Sequence, residues 1–486
     1  ASRRGVSSIS EGRTQRVRLV WVMAALPVLP IGCHEDRPGR SSGTAAITVS
    51  SPGAYGQEGT VRVLASRSGS PDVTVVESMV YQQIDGFGGA FNEQGWDALA
   101  VLDQGGREQA LRLLFGSADG ARFRFGRLPI GASDYAVDRY TLDDVAGDYA
   151  MEHFSIERDR RLLIPYVRAA LAVQPALRLW ASAWTPPPWL KTNGVYDSGS
   201  MRDDPTALGA YALYLARFVE SYRAESLTVQ AVHVQNEPAQ LTRYPSCLWA
   251  PELIRDFVRD YLGPTFEARG VPAEIWLGTL NTADPRYAHV VLEDAGARRH
   301  VRGIGVQWGA LAITADLAAS YPGLPLMQTE TVCGNHPWEP GFDPDRPPND
   351  HAYGELTWGW ILAYLRAGVR SYMAWNMVLD AEGKNLDSER PWPQNALLVV
   401  DRQSRRLVET PAYWAFRHFS SFVDVGAVRV GLTGAYGDAI AFRNPDGGLV
   451  VVLQNAGNQP RTLTLGARGD SLEVDLPAHG WATVIY

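Results

Sequence analysis

Two glutamates stand where short apolar runs break into polar residues. Val232-His233-Val234-Gln235-Asn236-Glu237-Pro238 carries an apolar stretch into amides, an acid and a proline that turns the chain aside. Leu326-Met327-Gln328-Thr329-Glu330 ends a second short run in another acid. Cleaving a glycosidic bond takes such a pair, one carboxylic acid to protonate the leaving oxygen and one carboxylate to attack or to activate water. A single strand-end glutamate also has a structural reading, as a cap on the following helix or a partner for an arginine. The pair favours chemistry, because 93 residues span about three strand-helix units of a large barrel. Glu237 and Glu330 would then end strands four and seven and face each other across the mouth.

Other chemistries have thin support. The chain has no Gly-x-Ser-x-Gly elbow. Gly86-Phe87-Gly88-Gly89 lacks the full dinucleotide-binding spacing, and a tight turn is the expectation there. The nine histidines are scattered without His-Glu-x-x-His spacing, so neither a metal site nor a cofactor is expected. A net charge of −8 without a basic run argues against nucleic acid, and an uncharged partner is expected; the glutamate pair and the resemblance described below imply that it is a carbohydrate or glycoconjugate. Fifteen Trp and 20 Tyr provide rings for sugar faces, although most Trp in any enzyme fill core.

The elements that must position these residues follow from the hydrophobic pattern. The chain has 486 residues, 45% hydrophobic and 20% charged, which excludes disorder over most of its length. From Ile84 to His418 apolar strands such as 177–182 and 229–234 alternate with helical stretches such as 207–223. That repetition over residues 84–418 predicts an α/β fold, a (β/α)8 barrel. After residue 420 the pattern is all strand: 428–432, 439–443, 449–454, 461–465, 472–476 and 482–486, with a turn at 444–448. Three strands near the amino end, at 46–50, 60–65 and 73–80, cannot close a core alone. Residues 46–83 are therefore expected to join 419–486 in one β-sandwich beside the barrel.

Residues 1–33 have the anatomy of an export signal. Arg13, Arg16 and Arg18 precede the apolar run Leu19 to Ile31, which is about 20 Å long as a helix and too short to span a bilayer. The run ends Leu29-Pro30-Ile31-Gly32-Cys33, which resembles a bacterial lipobox and implies a lipid anchor at Cys33. Plain secretion and a soluble cytoplasmic start are the alternatives to this membrane-anchored, exported state. Residues 34–45 read as a polar tether. Only Cys247 and Cys333 remain downstream, so no disulfide framework is expected.

From about residue 84 to 486 the chain resembles glycoside hydrolase family 30. The resemblance rests on Asp85-Gly86-Phe87-Gly88-Gly89-Ala90-Phe91, on Arg127 to Asp134, and on the long stretch Trp180 to Gly194. It continues through Asn236-Glu237-Pro238, Thr329-Glu330 and Trp375-Asn376, then Trp392 and Asn395 in the following loop. It implies a retaining β-glycosidase with Glu237 as acid/base and Glu330 as nucleophile. Asp134, Trp184, Asn236, Trp375, Trp392 and Asn395 are implied to bind substrate. The implied activity is hydrolysis of a terminal β-linked gluco-type sugar, as in glucosylceramidases and β-glucosidases. β-1,6-Glucanase, β-fucosidase and β-xylosidase are family alternatives, and a non-catalytic carbohydrate-binding lipoprotein is the contrasting class. The chain departs from the family at Gln307-Trp308-Gly309, where many relatives read His-Trp-Tyr. The tyrosine that orients the nucleophile is thus missing, and a reshaped pocket is expected beside Glu330.

Overall fold

The computed structural model describes residues 43–65, 70–387 and 394–486. Cys33 and Trp392 lie outside the described residues. Eight parallel strands close a barrel: Gly86–Ala90, Phe125–Ile130, Arg178–Ala183, Val229–His233, Glu274–Leu280, Val301–Val306, Leu326–Gln328 and Ser371–Asn376. They are called barrel strands one to eight below. Most of their residues are buried, as parallel strands covered by helices require.

The helices have local causes. Pro205–Ala224, between strands three and four, starts with Asp204 accepting from Ala207 N and with proline in the first turn. Its buried face includes Tyr211, Leu215, Phe218 and Tyr222. Pro411–Ser420 follows strand eight and is capped by Thr410.

Gly86 to Gly89 form the first barrel strand and not a tight turn. The backbone runs too close to its neighbours for side chains: a Cβ on Gly88 would lie 2.1 Å from the Phe125 carbonyl oxygen, and one on Gly89 would lie 2.3 Å from Met377 Cγ. The glycine cluster resembles turn chemistry in sequence but serves strand packing.

Nine strands make the second β-structure, three from residues 44–83 and six from 428–485. Their ladder runs Thr44–Ser51, Ala54–Ala65, Asp470–Leu476, Arg461–Ala467, Val73–Gln83, Val428–Gly434, Ala439–Arg443, Leu449–Asn455 and Gly480–Ile485, then closes on the first strand. Only Val73–Gln83 with Arg461–Ala467 is parallel, over two residue pairs. Val73, Val75, Leu449, Val451, Leu465 and Val484 sit in its core. His418 ties it to the barrel, one ring nitrogen on Thr483 Oγ1 and the other on Ser50 Oγ, both at 2.8 Å. A small sheet absent from the sequence expectation, Val378–Asp380, Leu398–Asp401 and Arg406–Glu409, follows strand eight. Cys247 and Cys333 are free and buried.

Candidate active site

The carboxyl ends of the barrel strands surround a cavity of about 360 Å³ whose lining includes Asp134, Glu237, Asn281, Trp308, Glu330, Trp375 and Gln394. Glu237 lies four residues beyond strand four. Asn236 N donates to the Ala183 carbonyl at 2.8 Å and Glu237 N to the Thr279 carbonyl at 3.1 Å, which keeps the extension between strands three and five. Glu237 has φ 46° directly before Pro238. Left-handed backbone on a non-glycine residue costs about 1–3 kcal/mol. That strain sits on the residue whose carboxyl lines the cavity.

Glu330 lies two residues beyond strand seven and is held by two donors. Arg127 Nη1 reaches its Oε2 at 2.6 Å, and Trp308 Nε1 reaches its Oε1 at 3.3 Å. Arg127 comes from strand two, is fully buried, and spends its remaining donors on Ser182 Oγ, Asn236 Oδ1 and the Thr329 carbonyl. Its guanidinium also lies 4.4 Å from the centroid of the Trp184 ring. A charged group taken out of water needs such compensation on all sides.

The two glutamates consequently differ. Burial pushes both carboxyls above their ordinary range. At Glu330 the charge and hydrogen bond of Arg127 oppose burial. At Glu237 the negative charge of Glu330 adds to burial, and the carboxyl is pushed up to about 8. Asp134 is raised well above the usual carboxylate range, by burial first and by Glu330 second. Three carboxyls, Glu330, Glu237 and Asp134, therefore act electrostatically on one buried guanidinium.

The other implied substrate residues separate into wall and support. Asp134 and Trp375 line the cavity. Trp184 lies behind Trp375, ring centroids 5.2 Å apart and 27° between planes, and is outside the lining. Asn236 Oδ1 accepts from Arg127 Nη2 at 2.6 Å and Thr279 Oγ1 at 2.9 Å. Asn395 does not reach the cavity: its Nδ2 donates to the Pro348 carbonyl at 3.0 Å and its Oδ1 accepts from Ala396 N. Its neighbour Gln394 lines the cavity instead, positioned by Asn376 Nδ2, which donates to Gln394 Oε1 at 3.0 Å.

The Gln307-Trp308-Gly309 stretch behaves differently from the expectation of a lost orienting group. Trp308 adopts φ 50°, and its indole supplies a donor to Glu330. A Cβ on Gly309 would meet the Asn281 carbonyl oxygen at 3.0 Å, so a side chain there would start toward the loop after strand five. Sequence reasoning missed Arg127, Trp308, Asn281 and Gln394. Arg127 carried a legible signal, a charged residue within the otherwise apolar Phe125-Gly126-Arg127-Leu128-Pro129-Ile130.

Comparison with known proteins agrees with this architecture. Residues 84–423 match the Glycosyl hydrolase family 30 TIM-barrel domain, and residues 426–484 match the Glycosyl hydrolase family 30 beta sandwich domain. Lysosomal acid glucosylceramidase of Mus musculus is 29% identical over 426 residues, covering 83% of this chain and 81% of the relative. Endo-1,6-beta-D-glucanase neg1 of Aspergillus fumigatus is 27% identical over 405 residues, covering 77% and 78%. Among solved structures, SrfJ from Salmonella typhimurium superposes with a TM-score of 0.83 at 24% identity, over 91% of this chain and 99% of that one. A barrel domain and a sandwich domain that both match, together over most of the chain, establish that this chain is a glycoside hydrolase belonging to glycosyl hydrolase family 30.

Proposed function

We propose that the enzyme is a retaining β-glycosidase that removes a terminal, β-linked gluco-type sugar, with Glu330 as nucleophile and Glu237 as acid/base. The observation that carries this reading is the unequal environment of the two glutamates. Arg127 and Trp308 both donate to Glu330, which favours its ionised form. Burial and the Glu330 charge keep Glu237 protonated near neutral pH.

In the first step a Glu330 oxygen forms a bond to the anomeric carbon as the glycosidic bond breaks, and the Glu237 proton passes to the leaving oxygen. In the second, Glu237 takes a proton from water, the water oxygen bonds to the anomeric carbon, and Glu330 departs as carboxylate. The sugar leaves with its original β configuration. Asn236, its oxygen already occupied, has its Nδ2 for the 2-hydroxyl, a contact that strengthens in the transition state. Asp134 binds hydroxyls, and Trp375, backed by Trp184, packs on the ring face.

A specific observation favours β-1,6-glucanase activity as the second reading. Trp338 lines the cavity, is 58% exposed, and stacks on His336 with centroids 4.8 Å apart and planes at 12°. His336 in turn meets Trp308 edge-on. This aromatic series leads outward from Glu330 and suits a second sugar residue. Aryl β-glucoside, β-fucoside and β-xyloside, glucosylceramide and a β-1,6-linked glucan, assayed side by side, discriminate the readings. Fastest turnover of the polymer would replace the first reading with the second.

Export and lipidation at Cys33 belong to the same proposal, supported by the arginine, apolar and lipobox pattern of residues 13–33. Cys33→Ala should move the protein from the membrane fraction to the soluble one.

A further inference from the structure

The amino ends of barrel strands two and three carry arginines that the catalytic chemistry does not use. Arg124 immediately precedes strand two, and Arg178 is the first residue of strand three. Arg178 N donates to the Arg124 carbonyl at 2.8 Å, and the Arg178 guanidinium lies 3.9 Å from the centroid of the Phe125 ring. Arg122 stands two residues before Arg124 with φ 54°, a left-handed backbone that a side chain other than glycine adopts at a cost. A cavity of about 400 Å³ opens here, and its lining includes these three arginines with Asp424, Val425 and Pro445.

The carboxylates of this region are fewer than its guanidiniums. Asp424 pairs with Arg122 and Asp85 with Arg370, each at 2.7 Å. Among the described residues Arg124 and Arg178 have no carboxylate oxygen within 4 Å. Their acceptors are neutral: Arg124 Nη1 donates to Gln174 Oε1 at 2.6 Å, and Arg178 Nη2 donates to the Asp85 carbonyl. Nε and Nη2 of Arg124 and Nε and Nη1 of Arg178 meet no acceptor among the described residues, yet none of these atoms is sealed from solvent. Both side chains are partly exposed, so a ligand in the cavity can reach the spare donors. Burial first, and the charge of Arg122 next, hold the Arg124 guanidinium below its ordinary range. Burial does the same to Arg178, where Arg370 and Arg124 act against the relief that Asp85 gives. Like charges drawn together and partly desolvated destabilise one another until an anion joins them.

We infer that this cavity is an anion site, at the opposite end of the barrel from Glu237 and Glu330, and that its ligand is a phosphate dianion, free or carried on a small phosphomonoester. Two guanidiniums without a carboxylate supply two positive charges. A phosphate group carries about −1.5 to −2 near neutral pH and matches both, whereas a carboxylate ligand matches one. The planar guanidinium fork also suits phosphate oxygens. Asp424, the acid in the lining, is already neutralised by Arg122. Val425 and Pro445 leave an uncharged wall for the organic part of a monoester. The site uses no residue assigned above to catalysis or substrate binding.

Isothermal titration of the full chain measures inorganic phosphate, glycerol phosphate and acetate separately, in about 0.15 M chloride so that exposed charges are screened. At least one of the two phosphates should bind saturably, and acetate at least about tenfold more weakly. The tighter of the two identifies the source as the free ion or the monoester. Arg124→Gln should weaken that binding by about tenfold or more, as loss of a hydrogen bond between charged groups does. Arg62→Gln, an exposed arginine of the second β-structure, should leave it unchanged. A wild-type crystal grown without phosphate and then soaked in it should show the ion between Arg124 and Arg178. Should Arg124→Gln fail to fold, the soaked crystal decides. Saturable binding of neither phosphate, acetate as tight as phosphate, equal affinity in Arg124→Gln, an equal loss in Arg62→Gln, or no ion beside Arg124 and Arg178 in the soaked crystal overturns the inference.

Discussion

Arg127 Nη1 lies 2.6 Å from Glu330 Oε2, while Nη2 of the same guanidinium lies 2.6 Å from Asn236 Oδ1, the residue beside Glu237. One buried fork thus connects the ends of strands two, four and seven. Lysine offers a point charge and cannot hold both partners in one plane. Arg127 is accordingly a positioning group for both glutamates.

Arg127→Met should leave Glu330 buried without its countercharge, a loss of about 3–5 kcal/mol of stability by the behaviour of broken buried pairs. Urea unfolding measures it. Arg127→Lys should fold better and still lose most activity. Wild-type activity in the lysine variant would refute the positioning role.

Glu237→Ala should cut turnover of substrates with poor leaving groups by about 10²–10⁴, with a smaller effect on activated aryl glycosides. Azide should restore rate and yield the β-glycosyl azide. Glu330→Gln should fold normally, by circular dichroism and melting temperature, and turn over nothing. Equal losses for all leaving groups in Glu237→Ala, without azide product, count against its assignment.

The pH profile has a definite sign. In the proposed mechanism Glu237 acts protonated, and its carboxyl is raised to about 8, so kcat/KM should fall as pH rises through that region. The same mechanism needs Glu330 ionised, so activity should also fall at acidic pH, giving a bell whose two limbs belong to the coupled pair. In Glu330→Gln the neighbouring charge is gone, and carboxyl-¹³C NMR should find Glu237 titrating at lower pH than in wild type. An unchanged midpoint would show that burial alone raises it.

Trp308→Phe removes the 3.3 Å donor to Glu330 while keeping a ring in place. A hydrogen bond to a charged group at the weak end of its range is worth about 1.5 kcal/mol, so kcat should fall roughly tenfold. The acidic limb should move to higher pH, since the ionised form of Glu330 loses a partner. A change in KM alone would assign Trp308 to substrate contact only.

Stereochemistry tests the mechanism independently of any variant. Double displacement requires the first-formed sugar to be the β-anomer, and methanol should intercept the intermediate as the methyl β-glycoside. Proton NMR of the earliest product, before mutarotation, decides. An α-anomer would mean inversion.

Glycine positions separate packing from conformation. Gly88→Ala places its Cβ 2.1 Å from the Phe125 carbonyl oxygen and should cost about 3 kcal/mol or more. Gly359→Ala, exposed on the helix Ala352–Ala367 with nothing within 4 Å of the new methyl, should stabilise by about 0.5–1 kcal/mol. Denaturant midpoints of the two variants should move in opposite directions.

What the sequence by itself determined was local pattern and its direct consequences. Apolar runs alternating with helical stretches specified the barrel, runs of strand specified the second β-structure, and polar residues breaking an apolar run marked Glu237 and Glu330. Tertiary structure decided which distant residues meet. Arg127 is one residue in strand two until closure of the barrel brings it under strands four and seven. Asn395 and Gln394 are adjacent amides, and only the path of the loop turns Gln394 to the cavity and Asn395 to Pro348. Trp308 supplies a donor to Glu330 through a left-handed backbone angle that no residue type at that position announces. Gly86 to Gly89 look like a turn because glycine marks both turns and close backbone approach, and only the neighbouring carbonyl of Phe125 distinguishes them. Periodicity is a property of consecutive residues, whereas these contacts depend on register and loop path across segments tens to hundreds of residues apart.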